Sequence, residues 1–149
     1  MRVIIQRISK GKIAVEGEWG SEIGPGLMVL VGVANEDGQE DVEWLLKKIL
    51  SLRIFSDEEG KMNRSVEDID GAIGVVSQFT LHAKTKKGTR PSFIRAAAPD
   101  KAEQLYLSFV EELRKSGRRV ETGKFGAHME LDFVNDGPVT IFIDTENKE

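Results

Sequence analysis

No cysteine occurs anywhere in the 149-residue sequence. That absence removes disulfides, thiolate nucleophiles and thiolate metal sites together. It agrees with a cytoplasmic protein. Histidine is nearly as scarce. His82 and His128 are the only two, they lie far apart, and no HExxH accompanies them. A zinc site would have to be improvised, so no metal and no other cofactor is expected. Both histidines are expected on the surface or on a strand face. There is no GxSxG elbow, no GxGxxG and no P-loop. Asp57-Glu58-Glu59-Gly60-Lys61 puts Lys61 where a calcium loop needs Asp or Asn, and it reads as a turn. Long apolar runs are missing too. The longest, Gly26 to Ala34, is about half of the ~20 residues a membrane span needs, and reads as a buried strand. The N-terminal Met1-Arg2-Val3-Ile4-Ile5-Gln6-Arg7-Ile8 lacks an extended apolar core and a cleavage site, and reads as a first strand. A basic excess is also lacking: the formal net charge is −4. Any contact with nucleic acid should therefore use a local patch and a small footprint, such as a single-stranded end.

What remains is one ordinary globular domain over residues 1–149, with 40% apolar and 31% charged residues. Strands are expected over Arg2 to Ile8, Lys12 to Val15, Trp19 to Ile23 and Leu27 to Val33, with Gly24-Pro25-Gly26 as a turn. Val42, Leu45, Leu46, Ile49 and Leu50 mark one face of a helix from Asp41 to Leu52. Short strands follow at Arg53 to Phe55 and Gly74 to Phe79. Pro99 suits the first turn of a second helix. Its apolar stripe is Ala102, Leu105, Tyr106, Phe109, Val110 and Leu113, and Gly117 stops it. The chain should close with a hairpin: His128 to Val134, a turn at Asn135-Asp136-Gly137, then Val139 to Ile143. Two helices and about eight strands joined mostly by short turns predict an α+β fold. Its sheet should be mostly antiparallel, curled towards a barrel.

Three segments carry candidate chemistry. Ser77-Gln78-Phe79-Thr80-Leu81 sits at the end of a buried strand, where a rigid platform can support a site. It offers two hydroxyls and an amide, and a chain turn there would expose backbone N–H groups to a developing oxyanion. The plain alternative, preferred on composition alone, is a strand end whose hydroxyls satisfy nearby backbone. Asn135-Asp136-Gly137-Pro138-Val139-Thr140 is unusual in following Asp-Gly with proline, which removes a ladder donor. Its plain alternative is a tight turn. Lys84, Lys86, Lys87 and Arg90 form a cation cluster in an acidic protein, suited to a few phosphate contacts. Equally, they could be a solvated loop.

Taken together, these segments resemble the D-aminoacyl-tRNA deacylase family. So do Ile23-Gly24-Pro25-Gly26-Leu27, Leu52-Arg53-Ile54-Phe55, Arg90-Pro91-Ser92-Phe93 and Glu121-Thr122-Gly123-Lys124-Phe125-Gly126. The resemblance runs nearly end to end. Two small departures are His82, where a tyrosine is common, and Thr89, where a second arginine is common. The resemblance implies a homodimer with active sites at the subunit interface. Ser77, Gln78, Phe79 and Thr80 would line one wall. Gly137 and Pro138 of the partner subunit, joined by a cis bond, would place their carbonyls where an L-side chain must go. The implied substrate is an aminoacyl ester on the 3′-terminal adenosine of tRNA, D-configured or glycyl.

Ester hydrolysis needs a nucleophile, an oxyanion stabiliser and a proton for the leaving oxygen. Thr80 is the evident protein nucleophile, yet no conspicuous base accompanies it. His82 would share its face only if the strand continued. Activation of water by the neighbouring ribose 2′-hydroxyl is the preferred scheme, with backbone amides near Phe79 and Thr80 holding the oxyanion. Two rivals need no catalysis. One is a tRNA- or nucleotide-binding module using the basic loop with Phe79 or Phe93 for stacking. The other is a dimeric structural protein with an exposed strand edge.

Overall fold

A computed structural model describes all residues, 1–149. The elements in order are β1 (Arg2–Val15), β2 (Glu18–Trp19), β3 (Gly26–Gly32), α1 (Gln39–Ser51), β4 (Phe55–Ser56) and β5 (Met62–Arg64). They continue with β6 (Ala72–Ser77), a 3-10 turn (Phe79–His82), α2 (Pro99–Lys115), β7 (Val120–Thr122) and β8 (Met129–Asp144). Both helices form where periodicity placed them. The Asp41 carboxylate accepts the Gly38 N–H at 2.9 Å and closes the start of α1. Pro99 opens α2.

The main sheet is mixed. Strand β1 pairs antiparallel with β2, β3 and β8. Strands β3, β6 and β7 run parallel. The parallel step follows from the connection: the chain crosses from β3 to β6 through α1 and the β4–β5 hairpin, long enough to return in the same direction. One sheet face carries Val3, Ile5, Leu27, Val29, Val31, Ile73 and Val75, and packs on both helices through Leu45, Ile49, Phe109 and Leu113. The other face curls around a smaller cluster of Ile8, Ile13, Ile23, Met28, Ala72 and Val76, against which Met129, Leu131 and Phe133 pack. The Tyr106 hydroxyl donates to the Val75 carbonyl at 3.1 Å and ties α2 to β6. Burial pushes its pKa up to about 12, so it stays a donor.

Four local expectations are overturned, one of them the strand over Trp19 to Ile23, which shrinks to β2 at Glu18–Trp19 and an isolated bridge from Ile23 to Gly11. The first two strands are one, because β8 supplies a partner along nearly the whole of β1. The strand into the Ser77 segment stops at Ser77 and does not reach Phe79. Most consequentially, the closing hairpin does not form. β8 is one strand pairing with β1 on both sides of the Asn-Asp-Gly-Pro stretch. Gln6 faces Thr140 and Ile8 faces Asn135, so Asp136, Gly137, Pro138 and Val139 stand opposite Arg7 alone. Local turn chemistry became a wide bulge because the long β1 ladder can hold both flanks.

Candidate active site

Strand β6 runs between the two cores and ends at Ser77. There the Gln78 N–H donates to the Val31 carbonyl at 2.7 Å, and the chain bends into the Phe79–His82 turn. Leu81 N–H donates to the Gln78 carbonyl at 3.3 Å and Ala83 N–H to the Thr80 carbonyl at 3.1 Å. The N–H groups of Phe79 and Thr80 therefore lead the turn, ahead of its first internal bond. The Gln78 amide donates to Thr80 Oγ1 at 2.5 Å and steers that hydroxyl.

Beside this turn lies a cleft of about 730 Å³. Ser77, Gln78 and Phe79 form one wall, Phe93 and the Ala96–Pro99 segment another, and Phe125 to Met129 with Leu131 the third. Phe79 is 55% exposed. Its ring meets Phe93 edge-on, centroids 5.1 Å apart. The cleft is thus largely apolar, with Ser77 and Gln78 supplying polar groups at one rim. That is the pattern of a small-molecule or nucleoside subsite.

Thr80 is exposed beside the cleft but is not part of its lining. His82 departs from expectation: it is 2% exposed, and neither ring nitrogen makes a hydrogen bond. Burial holds its pKa below the ordinary value. The Gly32 carbonyl, near but outside hydrogen-bonding geometry, and the Asp37 carboxylate pull the other way. His82 is therefore no base for Thr80. Nowhere do three His, Asp or Glu side chains converge as a metal site.

Gly137 and Pro138 lie on the β8 bulge, exposed, joined by a cis peptide bond. They line no part of their own chain's cleft. Arg7, which the sequence did not mark, and Asn135 of the motif itself hold them. Arg7 Nε donates to the Asp136 carbonyl at 2.9 Å, and Nη1 to the Ile54 carbonyl at 2.6 Å. The Asn135 amide donates to the Arg7 and Val139 carbonyls at 3.0 and 2.9 Å. Hydrogen bonds from a charged donor contribute about 1.5–3 kcal/mol each. The accompanying Arg7–Asp136 ion pair, with its carboxylate 58% exposed, contributes under about 1 kcal/mol. The carbonyl bonds therefore fix the bulge. The available signal was an arginine two residues past the apolar run Val3-Ile4-Ile5.

Lys84, Lys86, Lys87 and Arg90 are all exposed, and none pairs with a carboxylate. Backbone bonds between Lys84 and Ser92 close their loop, at 2.8 and 3.1 Å. The loop returns directly into Phe93 of the cleft wall.

The sequence profile of the family described as D-Tyr-tRNA(Tyr) deacylase matches residues 4–144. A D-aminoacyl-tRNA deacylase of Flavobacterium johnsoniae is 55% identical over 150 residues, covering 100% of both chains. One from Thermotoga petrophila is 55% identical, covering 97% of each. Among solved structures, the c-Myc DNA Unwinding Element Binding Protein superposes with a TM-score of 0.91 at 44% identity, over 97% of this chain and 99% of that one. A probable eukaryotic D-amino acid tRNA deacylase gives 0.82 at 23% identity, over 95% and 97%, a likeness of fold.

Proposed function

This chain belongs to the D-Tyr-tRNA(Tyr) deacylase family, and on that premise we propose that it hydrolyses the ester joining a D-amino acid to tRNA. The products are the free D-amino acid and tRNA. Glycyl ester mischarged on tRNA(Ala), having no side chain to exclude, is a second substrate. The observation that carries this reading is the strand end of Ser77, with Gln78 and Phe79, forming one wall of an apolar cleft. The 3′-terminal adenosine fits that cleft, its base against Phe79 and Phe93. The protein works in the cytoplasm, where charged tRNA is found.

The enzyme acts as a homodimer. In its own chain the Gly137–Pro138 bulge faces solvent, away from the cleft. Strand β8 pairs on one side only, and Val134 and Phe142 on it are 46% and 56% exposed. Gly137 and Pro138 of the partner subunit close the site and reject L-side chains with main-chain atoms. Such a wall cannot be softened by rotamer changes.

Water attacks the ester carbonyl, the bond to the ribose 3′-oxygen breaks, and the proton that the water gives up passes to that oxygen. The N–H groups of Phe79 and Thr80 hold the oxyanion, a contribution of about 2.7–4 kcal/mol per donor. The ribose 2′-hydroxyl orients the water. Thr80 has Gln78 as its side-chain partner and no base, so it positions and does not attack. Matched D- and L-tyrosyl-tRNA should be cleaved and spared respectively. Thr80→Ser should retain substantial activity. Thr80→Ala should lose about tenfold, against a loss of about a millionfold when a true nucleophile is removed. A trapped threonyl ester, or full activity on a substrate without the 2′-hydroxyl, would overturn this mechanism.

The Lys84–Arg90 loop holds tRNA phosphates. Replacing Lys86 and Lys87 by alanine should weaken tRNA binding for all species alike. The salt slope of the binding constant should fall by about 0.7 per lysine. An unchanged slope would place the phosphates elsewhere. A non-catalytic nucleic-acid-binding module draws on the exposed Phe79–Phe93 pair. Binding of D-tyrosyl-tRNA without turnover would favour it.

A further inference from the structure

His82 is the one side chain in the protein whose two ring nitrogens are both buried and both without a hydrogen bond. It forms the last residue of the turn whose first residue, Phe79, lines the cleft and whose second, Thr80, lies exposed beside it. The turn is seated tightly. A methyl group built on Gly32 would come 2.9 Å from the Gln78 carbonyl oxygen, 3.1 Å from Leu81 Cβ and 3.2 Å from His82 Cδ2. Arg2 grips the same turn, its Nη1 donating to the Leu81 carbonyl at 3.0 Å.

The charges around the ring are already committed. Arg2 pairs with Asp144 at 2.8 Å, and the Met1 ammonium pairs with Asp37 at 2.5 Å. Burial works to raise the Asp144 pKa, but its bond with Arg2 prevails and holds it below the ordinary value. From β1 and from the loop after β3, the charged groups acting on His82 are thus two cations, Arg2 and the Met1 ammonium, and one anion, Asp37, while Asp144 at the end of β8 is held by Arg2. An imidazolium there would be a third, uncompensated cation in a buried seat. Phe79 and Thr80 at the other end of the turn are exposed, so the turn has an open route to water.

We propose that His82 is a positioning residue for the hydrolysis: its neutral ring, seated under the Phe79–His82 turn, keeps the leading N–H groups aimed at the cleft, and a proton on the ring releases them. This rests on the deacylase reading of the same site. The sign follows from burial. A swung-out turn carries a histidine of ordinary pKa, 6.5, while the seated ring titrates lower. Between those values the open form binds the proton and the seated form does not, so falling pH favours release.

The test uses the full chain. Deacylation of D-tyrosyl-tRNA is followed from about pH 8 to about pH 5, where histidine changes charge, for wild type, His82→Leu and His82→Gln. Amide resonances of Phe79 and Thr80 are followed over the same range in wild type. The wild-type kcat should fall along an acid limb with its midpoint below 6.5, KM staying level. Both variants should lose that limb. The Phe79 and Thr80 amides should titrate with the His82 ring. His82→Ala, which vacates the seat, should lower kcat at neutral pH by about tenfold with KM unchanged. An acid limb that persists in both variants, or amides that ignore the ring's titration, would overturn the proposal. If the wild type shows no turnover at all, the deacylase reading fails, and the amide titration still decides whether His82 seats the turn. Should His82→Leu not fold, His82→Gln and the wild-type titration decide it.

Discussion

Gly26→Ala should yield no soluble, cooperatively melting protein. Gly26 is the first residue of β3, a strand paired on both sides, and stands opposite Ile8 on β1 and Ala72 on β6. A Cβ there would stand 1.8 Å from the Ala72 carbonyl oxygen, 2.7 Å from its carbon and 2.8 Å from its nitrogen. All three are backbone atoms, so no side chain can swing aside. Relief requires parting β3 from β6, which breaks the Ala72 N–H bond to the Pro25 carbonyl at 3.1 Å and the parallel ladder beyond it. Overpacking against movable side chains costs about 1–3 kcal/mol. Against a central ladder the cost should approach the whole margin of about 5–15 kcal/mol that holds a domain together. Circular dichroism melts and size-exclusion profiles of the purified variant give the answer. A soluble Gly26→Ala protein melting within about 5 °C of wild type, a shift of roughly 1–2 kcal/mol, would show that the sheet yields more easily than its geometry implies.

Gly137→Ala should spare the fold and damage the chemistry. Gly137 has φ +132, where side chains are rarely accommodated, at a cost of about 1–3 kcal/mol. Its Cβ would meet Arg7 Nη2 and Val139 Cγ2, each at 2.8 Å. Arg7 can move, but it is the residue that ties the bulge to Asp136 and Ile54. Displacing it frees the bulge. The bulge is exposed on an edge strand, so the fold should survive, with the melting temperature lowered by roughly 5–10 °C for a loss of about 2–3 kcal/mol. With Gly137 of the partner subunit forming the chirality wall, kcat/KM for D-tyrosyl-tRNA should fall about a hundredfold, as a misplacement near 1 Å commonly costs. The ratio of D- to L-tyrosyl-tRNA hydrolysis should narrow as well. Unchanged D-turnover with L-tyrosyl-tRNA still fully protected would mean the gate is built from something else.

The two motifs fared differently between sequence and structure. Ser77-Gln78-Phe79-Thr80 lies where a buried strand ends, and its strand was visible as an apolar run. What could not be seen was the turn that follows it. An alternating reading carries Phe79 on as strand and places His82 beside Thr80. The tertiary packing of that turn against Gly32 buries His82 and removes it as a base for Thr80. Gly137-Pro138 was flagged by its composition, but the hairpin drawn around it does not exist. The tether formed by Arg7 was not legible because its partners lie in distant segments, and Asn135 was legible only as part of the turn motif. Arg7 reaches Asp136 and Ile54, and Asn135 reaches back to Arg7.

Local chemistry alone dictated the two helices, through their 3.6-residue apolar stripes and the proline that opens α2. It also dictated the buried strands, the absence of any thiol chemistry, and the pair of motifs that mark the family. These depend on neighbours within a few residues. Whether β3 and β6 run parallel, whether Asn135 to Pro138 turns back or bulges, which residues wall the cleft and which histidine is buried were decided by the tertiary structure. Each of those choices turns on which distant strand completes a backbone ladder. Asp-Gly favours a tight turn by a small local preference. The β1 ladder offers hydrogen bonds to both flanks of β8 at once, and the many outweigh the one. The bulge that results is where the motif opened on composition alone acquires its shape, pinned by Arg7 on the facing strand.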